Sequence, residues 1–376
     1  MKQLFISTIT FLMVLMKARG GTPEFTMCSS LEFKGKSKNI DIILNNNLIS
    51  NQLCRVQGDN RSSIEFEENW NYGGIEFVAS ALAYDSHDDA VYHTRENFTI
   101  RKTYLGGLCG DHDDEDVFIL EEELRPSLGA IMDISYDWIT RNIFIAFEKA
   151  VGLINPSLKR PLKILSSGES FIGIEVHPNR GYLFLLSPAR NSSDGVHCNS
   201  FIIRAYQDFT VKKTAANKTG QFVPGRGCQT ISSMAIDHLQ EYLYYVTAPF
   251  WGITLQKLYG GTPSDIQLSP GLYHASPLAV DDRFIYIARE EKDQNQIRKK
   301  VMIKRIANNY TYYDDWTFSL ENGNNSCKSM LLPNKDLQIV KEGHPCAVDN
   351  GGCENYCLVV PDGPENENYN VRKVCI

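Results

Sequence analysis

The sequence predicts an all-β fold, a six-bladed β-propeller with a small, truncated disulfide-bonded module after it. Three observations predict it: a hairpin pattern that recurs at blade spacing, a secretory leader that puts ten cysteines in an oxidising compartment, and four cysteines gathered after residue 343. Composition clears the ground. With 376 residues, 43% hydrophobic and 22% charged, the chain has apolar mass for a full core and is neither disordered nor collagen-like. Its net charge of −7 lacks the basic footprint that a phosphate backbone selects, so no nucleic-acid partner is expected.

The leader comes first. A basic start at Met1-Lys2-Gln3, an apolar run from Leu4 to Met16 and small residues at Ala18-Arg19-Gly20 read as a signal peptide over residues 1–20. The run is shorter than the ~20 apolar residues a bilayer demands. No later stretch reaches that length, so no membrane span is expected in this chain, and the expected location is secreted or the extracellular side of the plasma membrane. Asn-x-Ser/Thr acceptors at Asn60, Asn97, Asn191, Asn217, Asn309 and Asn324 mark glycosylation sites on that route. Cysteines there default to disulfides, which lowers the prior for zinc or redox chemistry.

The hairpins come next. Leu82-Ala83-Tyr84-Asp85 is followed by Val91-Tyr92-His93-Thr94, and Ile134-Ser135-Tyr136-Asp137 by Ile143-Phe144-Ile145-Ala146. Further copies are Ile174 to His177 with Leu183 to Leu186, Met234 to Asp237 with Leu243 to Val246, and Leu278 to Asp281 with Ile285 to Ala288. The polar residue precedes the aromatic by 7, 7, 7, 7 and 5 positions in the pairs Asp85/Tyr92, Asp137/Phe144, His177/Phe184, Asp237/Tyr244 and Asp281/Tyr286. Each unit is strand, polar turn, strand, rich in β-branched and aromatic residues. Successive aromatics lie 52, 40, 60 and 42 residues apart, the length of a four-stranded blade with variable loops. Two units run on into a third strand ending in Gly-Gly, over Ile100 to Gly107 and Ile253 to Gly261. A weaker sixth copy, Leu31-Glu32-Phe33 with Ile40 to Leu44, completes the expected ring over residues 28–343.

These hairpins resemble the YWTD repeats of the low-density lipoprotein receptor family, with Asp137-Trp138-Ile139-Thr140-Arg141-Asn142-Ile143-Phe144 as the nearest copy. The segment from His344 through Cys346, Cys353 and Cys357 to Leu358 resembles the EGF-like module that follows such a propeller, here spanning 344–376. The resemblance implies bridges Cys346–Cys357 and Cys353–Cys375, with the last EGF cysteine pair missing, as in a truncated or clipped form. Among the earlier cysteines, Cys198 with Cys228 is the preferred local pair, flanking an excursion inside one blade; the pairing of Cys28, Cys54, Cys109 and Cys327 stays open. The residue that closes the YWTD motif is replaced by Arg95, Phe147, Ser187, Thr247 and Arg289, so the polar contacts between blades are expected to be lost and apolar packing to hold the ring.

Chemical signals are sparse. The run Asp111, Asp113, Asp114, Glu115 and Asp116, followed by Glu121-Glu122-Glu123, reads as a solvated loop between blades or as a patch for a basic protein ligand. It lacks the glycine of an EF-hand loop. Glu342-Gly343-His344-Pro345 lacks the acidic residues of calcium-binding EGF modules, so no metal ligand is assigned. His93 and His177 occupy motif positions, and the resemblance implies acid-dependent ligand release in which a histidine would serve; a packed, non-switching histidine is the plainer reading. No Gly-x-Ser-x-Gly elbow, His-Glu-x-x-His site or phosphate loop occurs, so no catalytic residue and no cofactor is expected. Calcium-dependent propeller lactonases and esterases remain the enzymatic alternative, since a channel site leaves no local motif. The resemblance implies a non-catalytic extracellular recognition module of an endocytic or Wnt co-receptor type, its protein ligand a lipoprotein, a yolk protein or a Wnt-pathway protein. A free secreted capture protein is the second reading, and membrane anchoring would lie in a longer form.

Overall fold

The computed structural model describes residues 40–46, 53–58, 64–66, 81–95, 98–104, 115–191, 197–223, 227–228, 230–248, 252–267, 275–281, 284–292, 299–307, 312–319, 327–332, 335–363 and 370–376. Helix is limited among these to one turn at Arg125–Leu128 and three short 3-10 segments. The remainder is antiparallel sheet. Sheet II consists of Leu82–Asp85, Ala90–Arg95, Thr99–Tyr104 and Glu115–Ile119, and sheet III of Ile131–Asp137, Asn142–Phe147, Ala150–Asn155 and Arg160–Ser167. Sheet IV runs Gly173–His177, Tyr182–Leu186, His197–Tyr206 and Lys212–Val223, with Arg190–Asn191 and Gly227–Cys228 as extra short strands. Sheet V is Thr230–Asp237, Tyr242–Ala248, Gly252–Lys257 and Ser264–Gln267, and sheet VI is Ala275–Val280, Phe284–Lys292, Lys299–Ala307 and Tyr312–Ser319.

Sheet I is assembled from both ends of the chain. Ile40–Asn46, Leu53–Gly58 and Ile64–Phe66 are joined on the inner side by Cys327–Leu331, which pairs antiparallel with Ile40–Asn46. This corrects the weak sixth copy: the inner partner of the Ile40 strand comes from the far end of the chain, while Leu31 to Phe33 lies outside the described residues. The first strands of neighbouring sheets touch in the closed order I, II, III, IV, V, VI and back to I. The arrangement is propeller-like.

Burial follows position within each sheet. In sheet III the second and third strands are buried at every residue, because both faces are covered by neighbouring sheets, while Arg160–Ser167 at the rim is largely exposed. That is why the hairpin copies read as unbroken apolar runs and the outer strands do not. The expected excursion between Cys198 and Cys228 proves to be the third and fourth strands of sheet IV, long enough to carry the extra pairings.

Turn geometry repeats with the sequence. Asp85, Asp137 and Asp237 each accept, through Oδ1, the amides two and three residues on: His87 and Asp88, Ile139 and Thr140, Leu239 and Gln240. The residue four after the repeat position is left-handed in all four long turns, at Asp89, Arg141, Gly181 and Glu241. In the shorter turn of sheet VI, Asp281 accepts the Phe284 amide at 2.7 Å. An Asp side chain at the hairpin tip thus fixes the two innermost strands of sheets II, III, V and VI.

Hydrogen bonds also cross between sheets, contrary to the expectation of apolar packing alone. They come from the inner strands rather than from the closing motif position. Asp133 accepts the Ile174 amide at 2.8 Å, Ser135 the Val176 amide at 3.0 Å and Ser233 the Leu278 amide at 3.1 Å. Counted from the repeat position, a residue four or two before it holds the next sheet one residue further along. The aromatics Tyr92, Phe144, Phe184, Tyr244 and Tyr286 are all buried, each opposite the residue two before the repeat position in its own sheet.

Replacing Asp237 by alanine removes the acceptor of two turn amides and is expected to cost about 1–3 kcal/mol in urea unfolding, and Asp237→Asn, which keeps one carbonyl acceptor, clearly less. Equal losses for the two variants would show that the turn bonds do not carry the effect.

Candidate functional site

The antiparallel order gives the ring two ends. One carries the turns between first and second and between third and fourth strands; we call it the hairpin end. The other, the crossover end, carries the remaining turns and the connections from sheet to sheet.

The hairpin end is occupied by the chain's own C-terminal part. Residues 335–344 cross the turns of sheets II to IV. Gln338 donates to the Tyr84 carbonyl at 2.8 Å and accepts the Ser86 amide at 3.0 Å. Trp138 Nε1 and Asn179 Nδ2 both donate to the Ile339 carbonyl, at 3.2 and 2.7 Å, and Asn179 accepts the Lys341 amide. The disulfide-bonded module then docks against sheets III and IV. Asn142 Nδ2 donates to the Cys357 carbonyl at 3.2 Å, and Arg160 and Tyr356 make bonds to Glu354 and Pro161 carbonyls. Gln207 bridges the two parts: its Nε2 donates to Asp137 Oδ2 at 3.3 Å and its Oε1 accepts the Val359 amide at 2.9 Å. Tyr356 and Leu358 enter the same apolar cluster as Phe144, Leu153 and Leu183. Burying a side chain of that size is worth ~1.5–3 kcal/mol.

The bridges Cys346–Cys357 and Cys353–Cys375 are present, with Cα separations of 5.9 and 5.3 Å. Cys198 is buried and disulfide-bonded. Cys228, Cys54 and Cys327 sit on strands whose side chains are not described, and Cys28 and Cys109 lie outside the described residues, as do Asn60, Asn97, Asn309, Asn324, Asp111, Asp113, Asp114 and the leader 1–20. Asn191 is on a short strand of sheet IV; Asn217 is exposed on its outer strand.

The acidic run divides. Glu115 and Asp116 begin the outer strand of sheet II instead of lying in a loop, and Asp116 is paired with Arg101 at 2.7 Å. The strand Glu115–Ile119 runs from Glu115 and Asp116 at the hairpin end to exposed Glu121, Glu122 and Glu123 beyond its crossover end, so these two described groups do not form one patch. His93 is buried and bonded to Thr103 at 3.1 Å. His177, where four copies have Asp, is buried with neither ring nitrogen bonded, its ring 5.0 Å from that of His238, which packs edge-on against Trp138. Burial holds His177 well below its ordinary value, helped by His238 and Arg180, pushes His238 down to about 3, and lowers His344.

Sequence reading missed the channel. A cavity of about 230 Å³ runs along the inner strands, lined among others by Asp133, Ser135, Glu175, Ser233 and His238, with Leu337 and Gln338 of the linker at its hairpin end. Burial pushes Glu175 up to about 8, assisted by the charge of Asp133 and opposed by the Ser135 hydroxyl at 3.4 Å. Burial likewise brings Asp133 up to about 7 against the amides of Ile174 and Ile134. Aligning the copies on the repeat position would have exposed it: two residues earlier stand Ala83, Ser135, Glu175, Ala235 and Ala279, a small position made acidic once. Among the described residues no group of three or more metal-ligating side chains occurs, and no helix is long and apolar enough to cross a membrane.

A crystal structure of a nidogen/laminin complex is similar to this chain, with a TM-score of 0.53 and 16% sequence identity over 74% of this chain and 93% of the other. No family model and no curated protein matches. At that identity the likeness carries the propeller-like fold.

Two outcomes follow from this geometry. Gly181 has φ +71°, and a Cβ there would meet the Val359 carbonyl, so Gly181→Ala is expected to loosen the module and speed proteolytic cleavage between residues 335 and 344; unchanged cleavage would place the docking strength elsewhere. His177 and His238 are neutral when folded and charge more readily when unfolded, so they stabilise fully above about 6.5 and lose that contribution as pH falls. Glu175 runs the other way: its contribution is full below about 4.5 and is lost as pH rises through about 8. Melting temperatures from pH 4 to 9 are expected to show Glu175→Gln stabilised at pH 8–9 and little changed at pH 4, and His177→Phe with a shallower acid branch.

Proposed function

We propose that this chain is a six-bladed, YWTD-type β-propeller with an EGF-like module, related to the low-density lipoprotein receptor family, and that it acts as a non-catalytic extracellular protein-recognition module. Each of sheets I to VI is read as one blade. The observation that carries the reading is the asymmetry of the ring: linker and module occupy the hairpin end through Ile339, Val359 and Cys357, which leaves the crossover end and its loops for a partner. The similar structure is a complex of nidogen with laminin, which supports use of this fold in binding another protein. A receptor of endocytic or Wnt co-receptor type, binding a lipoprotein, yolk protein or Wnt-pathway protein, is the first form of this reading; a free secreted capture protein is the second. A calcium-dependent lactonase is the lesser alternative.

Expression of the full chain with its leader in animal cells is expected to deliver it to the medium, with a mass loss on glycosidase treatment. Biolayer interferometry against laminin, low-density lipoprotein, a yolk lipoprotein and Wnt-pathway antagonists should then give saturable binding to one class, lost in Glu121→Lys/Glu123→Lys at the crossover end and kept in Lys341→Glu at the hairpin end. Binding that depends on Lys341 and ignores the crossover end overturns the reading, as does calcium-dependent lactone turnover without any protein binding.

A further inference from the structure

Asp133 and Glu175 project from neighbouring inner strands into the channel, and no described Lys or Arg pairs with either. Asp133 accepts only the amides of Ile134 and Ile174, and Glu175 only the hydroxyl of Ser135. Two carboxyls of like charge thus face one cavity with hydrogen-bond donors but no counter-charge. Both are half-buried, so a ligand in the channel reaches them. Among the described residues, the titratable side chains on the walls are Tyr84, Asp133, Tyr136, Glu175 and His238, contributed by sheets II to V, and burial keeps His238 uncharged at neutral pH. Independently of the carboxyls, the buried Nδ1 of His238 on the same cavity has no hydrogen-bond partner. Among the described residues the cavity therefore holds two carboxyls without a counter-charge and, beside them, a buried polar atom without a hydrogen bond.

The geometry points to a seat for one cationic group, the ammonium or guanidinium of a basic side chain on the protein partner, held between Asp133 and Glu175. This rests on the protein-recognition reading and names the chemistry of the partner residue. A calcium ion wants six to eight oxygens, more than two carboxyls and one serine supply, whereas an ammonium has three N–H donors to match Asp133, Glu175 and the Ser135 hydroxyl. A cation entering there favours the ionised carboxyls, so binding expels the protons that burial holds on them and tightens as pH rises.

The test is calorimetric titration of the full chain with a cyclic hexapeptide bearing one lysine, its norleucine counterpart, and n-butylammonium, at pH 6.5 and 8.5. The lysine peptide is expected to bind at least tenfold tighter than the norleucine peptide, to tighten at pH 8.5, and to lose at least tenfold in Glu175→Gln and in Asp133→Asn. Melting temperature checks that each variant is folded; the isosteric Glu175→Gln is expected to melt no lower than the parent. Equal affinity of the two peptides, or indifference to both substitutions, overturns the inference. Butylammonium binding as tightly as the lysine peptide overturns the assignment to a partner's side chain and gives the seat to free amines. Partner binding that needs Glu121 and Glu123 but ignores Glu175 sinks this inference alone, while absence of any protein partner sinks the proposed function beneath it.

Discussion

The carboxylate at the hairpin tip is the interaction on which the ring depends. One oxygen closes the turn by accepting two amides, which fixes the left-handed residue directly after them and with it the register of the two innermost strands. The other oxygen is buried and must also be satisfied, since an orphaned buried acceptor costs more than a made bond returns. In two of the three copies whose repeat aromatic is tyrosine, its hydroxyl does this inside the blade-like sheet: Tyr92 reaches Asp85 at 3.3 Å and Tyr286 reaches Asp281 at 2.9 Å. Where it is phenylalanine, that donor is gone. Sheet III then recruits Gln207 for Asp137, and sheet IV has no carboxylate at all, because His177 stands there.

This one substitution pattern links folding to assembly. Gln207 can satisfy Asp137 only from the turn of the next sheet, and its remaining oxygen faces the module, where it takes the Val359 amide. The absence of a hydroxyl on Phe144 is thus answered by a bond that also orients the module. Gly181 completes the fit, because only a residue without Cβ lets the Val359 backbone approach so closely.

The periodic part of the structure was legible in the sequence. The five hairpins fall on the innermost strand pairs, and each repeat Asp does the same local job, because strand periodicity and Asx turns are local properties. The inner strand of sheet I was not legible, since Cys327–Leu331 is paired with a strand nearly three hundred residues away and carries no repeat signature. The channel carboxyls were hidden for a different reason. Asp133 and Glu175 are isolated acids in apolar strands, and only the ring brings them onto one cavity. Glu115 and Asp116 looked continuous with Glu121 to Glu123 because sequence distance does not reveal that the strand Glu115–Ile119 lies between them.

The departures from the repeat are not scattered. Phe144 and Phe184 replace tyrosine, His177 replaces Asp, and Asp133 and Glu175 replace small or neutral residues, all in sheets III and IV. A copy selected only to fold would keep the self-contained Asp–Tyr pair, as Asp85/Tyr92 and Asp281/Tyr286 do. In sheets III and IV the polar groups instead look outward from the copy: Asp137 through Gln207 to the module, Asp133 and Ser135 to the neighbouring sheet, Glu175 to the channel. The same two sheets carry the docked module at one end and the acidic part of the channel wall. Divergence within the internal repeat therefore marks where sheets III and IV meet their surroundings: the hydroxyl lost at Phe144 is replaced by Gln207, from outside the blade-like unit.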